Sequence, residues 1–188
     1  VILLANLGYH RDTLTSNNAL IPIAQYLKKI GVPNNFAVAS KFEADRSAIF
    51  KWLVIVLLKR TFSGQPDNVL RPIRDVINSA SQGFPFEEIS NKLKGGTKSL
   101  SFDEDEIANL LHYGYGEVYT YSVLAFLYPT LDFRNKFHQD HIFPKKLFTK
   151  KRLEKAGILD NDAEFFMANF NSLANLQLLE GVPNQEKS

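Results

Sequence analysis

The segment that restricts the fold most is Ile49-Phe-Lys-Trp-Leu-Val-Ile-Val-Leu-Leu58. Ser40-Lys-Phe-Glu43 ahead of it has the spacing of a capping box, in which the serine and glutamate satisfy each other's backbone N–H groups. Ser63-Gly64 stops it, so one long helix is predicted from Ser40 to about Phe62. A helix that is apolar almost all round cannot lie on a surface and must be wrapped by other elements. The chain is therefore expected to be mainly helical, with this helix at its centre.

The remaining punctuation supplies the wrapping. Between Asn17 and Ile30, apolar Leu20, Ile23, Ala24, Leu27 and Ile30 recur at helical spacing, with Pro22 tolerable near the first turn and Gly31 ending the run. Further helices are predicted from Pro66 to about Ala80 and from Phe86 to Leu93, the latter followed by a flexible Gly95-Gly96 break. Ser101 to Glu104 is a second capping box, leading Ile107, Leu110 and Leu111 into a helix that ends near Gly114. The last runs from about Glu117 to Tyr128, closed by Pro129, with Tyr119, Tyr121, Phe126 and Tyr128 read as core aromatics. Tyr113-Gly-Tyr-Gly116 reads as a tight turn, since it lacks the Lys-Ser/Thr partner of a phosphate loop. His10 and His112 read as structural or exposed. Residues 1–130 thus form a predicted helical scaffold domain without a recognisable catalytic pattern.

A chain of 188 residues can hold one sizeable core or two small ones. Without cysteine it has no disulfides and no thiolate zinc site. Val1-Ile-Leu-Leu-Ala lacks the charged start and long apolar stretch of a secretory signal, and Trp52–Leu58 is too short to span a membrane. A cytoplasmic protein with no membrane association is expected. It starts at Val1 rather than Met and stops at Ser188 just past its most informative motif, and so reads as a piece of something longer.

From Leu131 the character changes. Phe137 to Ile142 reads as a strand, Lys145 to Gly157 as one or two short helices and Asn161 to Phe170 as another. Leu173 to Leu179 reads as a second strand, and Val182 onward as a helix start. Residues 131–188 are thus a small α+β unit. It carries Asp140-His141-Ile-Phe-Pro144, then Asn175, Asn184 and Lys187. Phosphodiester hydrolysis needs an activated water and a cation to offset charge on the phosphoryl oxygens. His141 is the natural general base. Asp140 and Asn184 offer hard oxygen ligands, which favour one Mg²⁺ or Mn²⁺; Zn²⁺ is less favoured, with His138 as an accessory nitrogen. Adjacent strand residues point to opposite faces, so Asp140 and His141 can share one water only where the strand bulges, ends or turns. Pro144 fits an end just past His141.

Charge is concentrated beside this motif. Arg134, Lys136, Lys145, Lys146, Lys150, Lys151, Arg152 and Lys155 stand against only Asp140 and Glu154 between residues 134 and 155. Lys145, Lys146, Lys150, Lys151 and Arg152 are the candidate phosphate contacts, with a solvated helix face as the plainer reading. Asn184 also suits a helix cap, and Lys187 a solvated position.

The order of residues resembles the HNH endonucleases of the ββα-metal class. More narrowly, Phe137-His-Gln-Asp-His-Ile-Phe-Pro-Lys145, Leu173-Ala-Asn-Leu-Gln-Leu-Leu-Glu180 and Asn184-Gln-Glu-Lys187 resemble the C-terminal nuclease domain of GmrSD-type modification-dependent restriction enzymes. Asn18-Ala-Leu-Ile-Pro22 and Phe84-Pro-Phe-Glu87 resemble the helical stretch before that domain. The resemblance implies a helical domain followed by a ββα-metal HNH element whose final helix is cut short. It implies that His141 activates water and that Asp140 and Asn184 hold the metal. Asn175 would be the central asparagine, bracing the loop or orienting His141, and Lys187 would meet a phosphate oxygen. DNA, double-stranded and possibly modified, is the implied substrate, with an N-terminal module of the parent protein as partner. The alternative is a non-catalytic nucleic-acid- or protein-binding module with an HNH-like shape.

Overall fold

A computed structural model describes residues 2–128 and 130–181. Among these, seven helices precede the first strand: α1 (Ile2–Asn6), α2 (Leu20–Lys29), α3 (Glu43–Leu58), α4 (Pro66–Ser79), α5 (Phe86–Leu93), α6 (Glu104–Leu110) and α7 (Thr120–Leu127). Then come β1 (Phe137–His141), α8 (Lys150–Lys155), α9 (Asp160–Asn169) and β2 (Leu176–Glu180). The protein is mainly helical with one small two-stranded antiparallel sheet. No described helix is long and apolar enough to cross a membrane.

The apolar run does form the central helix. Ile49 and the whole of Trp52–Leu58 are buried on α3, which packs against α5 and α7, while α2 lies on α4. Trp52 is fully enclosed, and its Nε1–H donates to the Ala19 carbonyl at 2.9 Å. That bond satisfies the one polar atom of the side chain, as burial requires. The sheet does not stand apart from this core. β2 packs on α7, and Leu173, Leu176 and Leu178 belong to the same apolar cluster as Trp52 and Leu124.

Several element starts differ from expectation. Ser40–Phe42 is a 3₁₀ turn, so α3 begins at Glu43 and the Ser40 capping box does not form. The glutamate lands at the first helical position, out of reach of the reciprocal bond. The second box forms two residues later than read: Glu106 N–H donates to Asp103 Oδ1 at 2.8 Å, and Asp103 N–H to Glu106 Oε2 at 3.0 Å. α6 stops at Leu110 and α7 starts at Thr120, because the Gly114 carbonyl accepts from Thr120 Oγ1 and the loop between them folds onto the sheet. Of the aromatics read as core, Tyr121 is buried and Tyr119 half-buried, but Phe126 and Tyr128 are exposed where α7 runs past the core. Ile2–Asn6 is helical, an element the sequence reading lacked. Leu173–Asn175 is a 3₁₀ turn, and the strand starts only at Leu176. The predicted helix from Val182 lies outside the described residues.

Candidate functional site

β1 and β2 pair in regular register, from Phe137 opposite Glu180 to His141 opposite Leu176. There is no bulge, so alternation assigns the side chains. Phe137, Gln139 and His141 share a face with the buried Leu176 and Leu178, whereas His138 and Asp140 share the other with Gln177 and Leu179. The strand ends at His141, one of the conditions under which Asp140 and His141 can serve one reacting centre. His138 Nε2 lies against Gly181, 3.5 Å from where a Cβ there would stand. The outer face of β1 therefore borders the point at which the chain leaves β2.

The half-buried imidazole of His141 is held from two sides. Its Nε2 is 2.9 Å from Asn171 Oδ1. An amide oxygen only accepts, so in this arrangement Nε2 carries the proton and donates, and the lone pair of the neutral ring is on Nδ1. Tyr115 stacks on the ring with centroids 4.6 Å apart and planes at 23°, and Phe170 lies near-parallel at 6.1 Å.

Just beyond His141 the backbone is clamped by Asn175. This asparagine is only 8% exposed. Its Oδ1 accepts from Phe143 N–H at 2.9 Å, and its Nδ2 donates to the carbonyls of Phe143 at 3.1 Å and Phe170 at 2.8 Å. The Asn175 carbonyl takes Ile142 N–H at 2.9 Å as well. One residue thus joins the strand end, the Phe143 turn and the end of α9.

Of the basic candidates, Lys145 reaches this arrangement, its Nζ 5.2 Å from the centroid of the Phe170 ring that also faces His141. Lys145 and Lys146 form an exposed 3₁₀ turn with Leu147; Lys150, Lys151 and Arg152 are exposed on α8. Arg152 Nη1 donates to the Lys146 carbonyl at 2.8 Å, tying turn to helix. Lys150 lies 3.8 Å from Asp160. Upstream, Arg134 is occupied by Asp132, whose carboxyl its guanidinium hydrogen bonds hold below the usual range.

Asp140 is the described half of the predicted metal pair; Asn184 and Lys187 lie outside the described residues. Among the described residues no three His, Asp or Glu side chains converge. Asp140 supplies the hard-oxygen donor that Mg²⁺ or Mn²⁺ prefers, and His138 is the nitrogen on the same face. Sequence reasoning missed Tyr115, Phe170 and Asn171. The one available signal was Tyr115 itself, an aromatic flanked by two glycines, and it was read only as part of a turn. No family model matches the chain, and no curated protein matches it.

Proposed function

We propose that this chain carries an HNH-type endonuclease site that hydrolyses DNA phosphodiesters with one Mg²⁺ or Mn²⁺, as part of a restriction protein directed at invading, modified DNA. The observation that carries the reading is the Asn175 clamp. A buried amide fixes the backbone immediately beyond a histidine that ends a strand, and the histidine is itself fixed by an amide and an aromatic ring. Such restraint suits a general base, whose geometry must be set before its proton-accepting strength matters.

In this reading His141 Nδ1 takes a proton from the attacking water as its oxygen bonds to phosphorus and the bond to the leaving sugar oxygen breaks. Asp140 and Asn184 would hold the divalent ion, which would supply positive charge against the phosphoryl and leaving oxygens. Lys145 and the α8 cations grip flanking phosphates, a contact that positions DNA without reading its sequence. Lys187 meets a further phosphate oxygen.

The test is supercoiled plasmid incubated with the chain and Mn²⁺, with EDTA and His141→Ala as parallel controls. Nicking or linearisation abolished by both establishes the activity and the base together. DNA binding that persists without Mn²⁺ and without His141, and with no cleavage, identifies a binding module instead.

A further inference from the structure

The loop between α6 and α7 belongs in sequence to the helical part, yet it closes over the strand end. Tyr115 N–H donates to the Asn171 carbonyl at 2.9 Å, and Gly116 N–H donates to Gln139 Oε1 at 2.8 Å. Gly114 forms an antiparallel bridge with Ser172. On its own side, Gly114 is held by Glu117 Oε1, which accepts its N–H at 2.9 Å, and by Thr120 Oγ1, which donates to its carbonyl. The two glycines around Tyr115 answer different requirements. A Cβ at Gly114 would stand 3.2 Å from the Asn171 carbonyl oxygen, and Gly116 has φ of +80°, where other residues are strained. Both keep the loop close enough for the tyrosine ring to meet the imidazole.

Tyr115 remains 49% exposed despite these anchors. Its hydroxyl has no hydrogen-bond partner among the described residues, so what the loop delivers to the strand end is the face of a ring. Asn171 is likewise exposed, with its amide oxygen directed at His141 Nε2 rather than left to water. An exposed aromatic and an exposed amide converging on one half-buried imidazole add little to a core, but they fix that ring in orientation and tautomer.

We infer that Tyr115 and Asn171 are positioning residues for His141: the tyrosine ring sets the plane of the imidazole, and the Asn171 amide oxygen keeps the proton on Nε2 so that Nδ1 is the accepting nitrogen. The catalytic meaning of this inference rests on the function proposed above, whereas the geometry it claims does not. It makes the helical part a contributor to the site through one loop.

The experiment uses the full chain labelled with ¹⁵N, with parent, Tyr115→Phe, Tyr115→Ala and Asn171→Ala compared by long-range ¹H–¹⁵N spectra of the His141 ring in its neutral form. The parent shows Nε2 as the protonated nitrogen and Nδ1 as the bare one. In Asn171→Ala the two nitrogen shifts move toward each other as the second tautomer appears. Ring-current shifts on the His141 carbon-bound protons persist in Tyr115→Phe and collapse in Tyr115→Ala. In the plasmid assay Tyr115→Phe cuts within about twofold of the parent, since the stacking area is retained. Tyr115→Ala loses on the order of 10²-fold, the scale of a misplaced reacting group. A parent that cuts no DNA but shows these spectra overturns the proposed function and leaves the positioning intact. Unchanged His141 spectra in Tyr115→Ala and Asn171→Ala overturn the positioning whatever the activity. Should Tyr115→Ala fail to fold, Tyr115→Leu takes its place: ring-current shifts that collapse support the ring's role, and shifts that persist overturn it.

Discussion

Replacing Asn175 separates a clamp from a filler. The side chain makes three hydrogen bonds, all to backbone: Phe143 N–H, Phe143 C=O and Phe170 C=O. None of these groups has another partner among the described residues. A neutral hydrogen bond contributes about 0.5–1.5 kcal/mol net, so truncation removes about 1.5–4.5 kcal/mol before solvent recovery. Phe143 is 60% exposed, which lets water recover part of its two bonds. We therefore expect Asn175→Ala to lose about 2–3 kcal/mol. The sharper variant is Asn175→Asp, which keeps the shape and the acceptor for Phe143 N–H. It turns a carboxylate oxygen toward the two carbonyls that Nδ2 now serves, so at neutral pH it should be no better than alanine despite being isosteric. The pH dependence has a definite sign. Only the protonated carboxyl can donate to one of those carbonyls, so folding raises its pKa above the unfolded value of about 4. The support from that bond is present below the unfolded pKa and lost as pH rises through the folded one. Urea unfolding at about pH 7 and about pH 5 measures both variants, and hydrogen exchange at the Phe143 amide reports the clamp locally. Parent-like stability of Asn175→Asp at neutral pH, with slow exchange at Phe143, would refute the reasoning.

Further outcomes follow from the core and the basic stretch. Burial raises the phenol pKa of Tyr9, Tyr26 and Tyr121, with the Asp45 carboxylate that accepts the Tyr26 hydroxyl adding to the effect there. Stability from these groups is complete below the unfolded pKa of about 10 and lost as pH rises through the folded values; circular dichroism should show alkaline unfolding, shallower in Tyr121→Phe. Leu176→Ala, at a site 2% exposed where β2 meets α7, should cost about 2–5 kcal/mol by urea denaturation. If α8 grips DNA, the double charge reversal Lys150→Glu with Lys151→Glu lowers affinity and reduces the salt slope by about two, read by anisotropy across a salt series.

What was legible in the sequence was what is local. The α3 run predicts its own burial, and Asp140-His141 with Asn175 marks the strand end. The capping boxes show where local reading stops. Ser101-Phe-Asp-Glu104 and Asp103-Glu-Asp-Glu106 both carry the required spacing, and the second is the one that forms. At Ser40 a 3₁₀ turn shifted the helix start, although the residue pattern was right. Tyr115, Phe170 and Asn171 were illegible for another reason. Their roles exist only once loops about thirty residues apart close on each other, as in the His141–Asn171 bond, and no local periodicity encodes that closure.

In the function proposed above, the alternation that puts Asp140 and His141 on opposite faces gives β1 two separate jobs. On the inner face His141 needs rigidity, and it draws that from the core: Leu176 beneath the sheet, α7 beneath Leu176, and the Tyr115 loop that precedes α7. On the outer face Asp140 lies opposite Gln177 and shares its side of the sheet with His138, which borders Gly181 at the end of β2. A base must be fixed in direction to within a fraction of an ångström, while an ion that keeps several waters takes only one or two of its ligands from the protein. The two faces therefore call for different supports. Loosening the core should disturb His141 before it disturbs Asp140, so Leu176→Ala ought to lower cutting more than it lowers Mn²⁺ affinity. Calorimetry with Mn²⁺ beside the plasmid assay separates the two. A parallel loss of both would mean that one rigid unit holds both faces, and the division of labour proposed for the strand would be wrong.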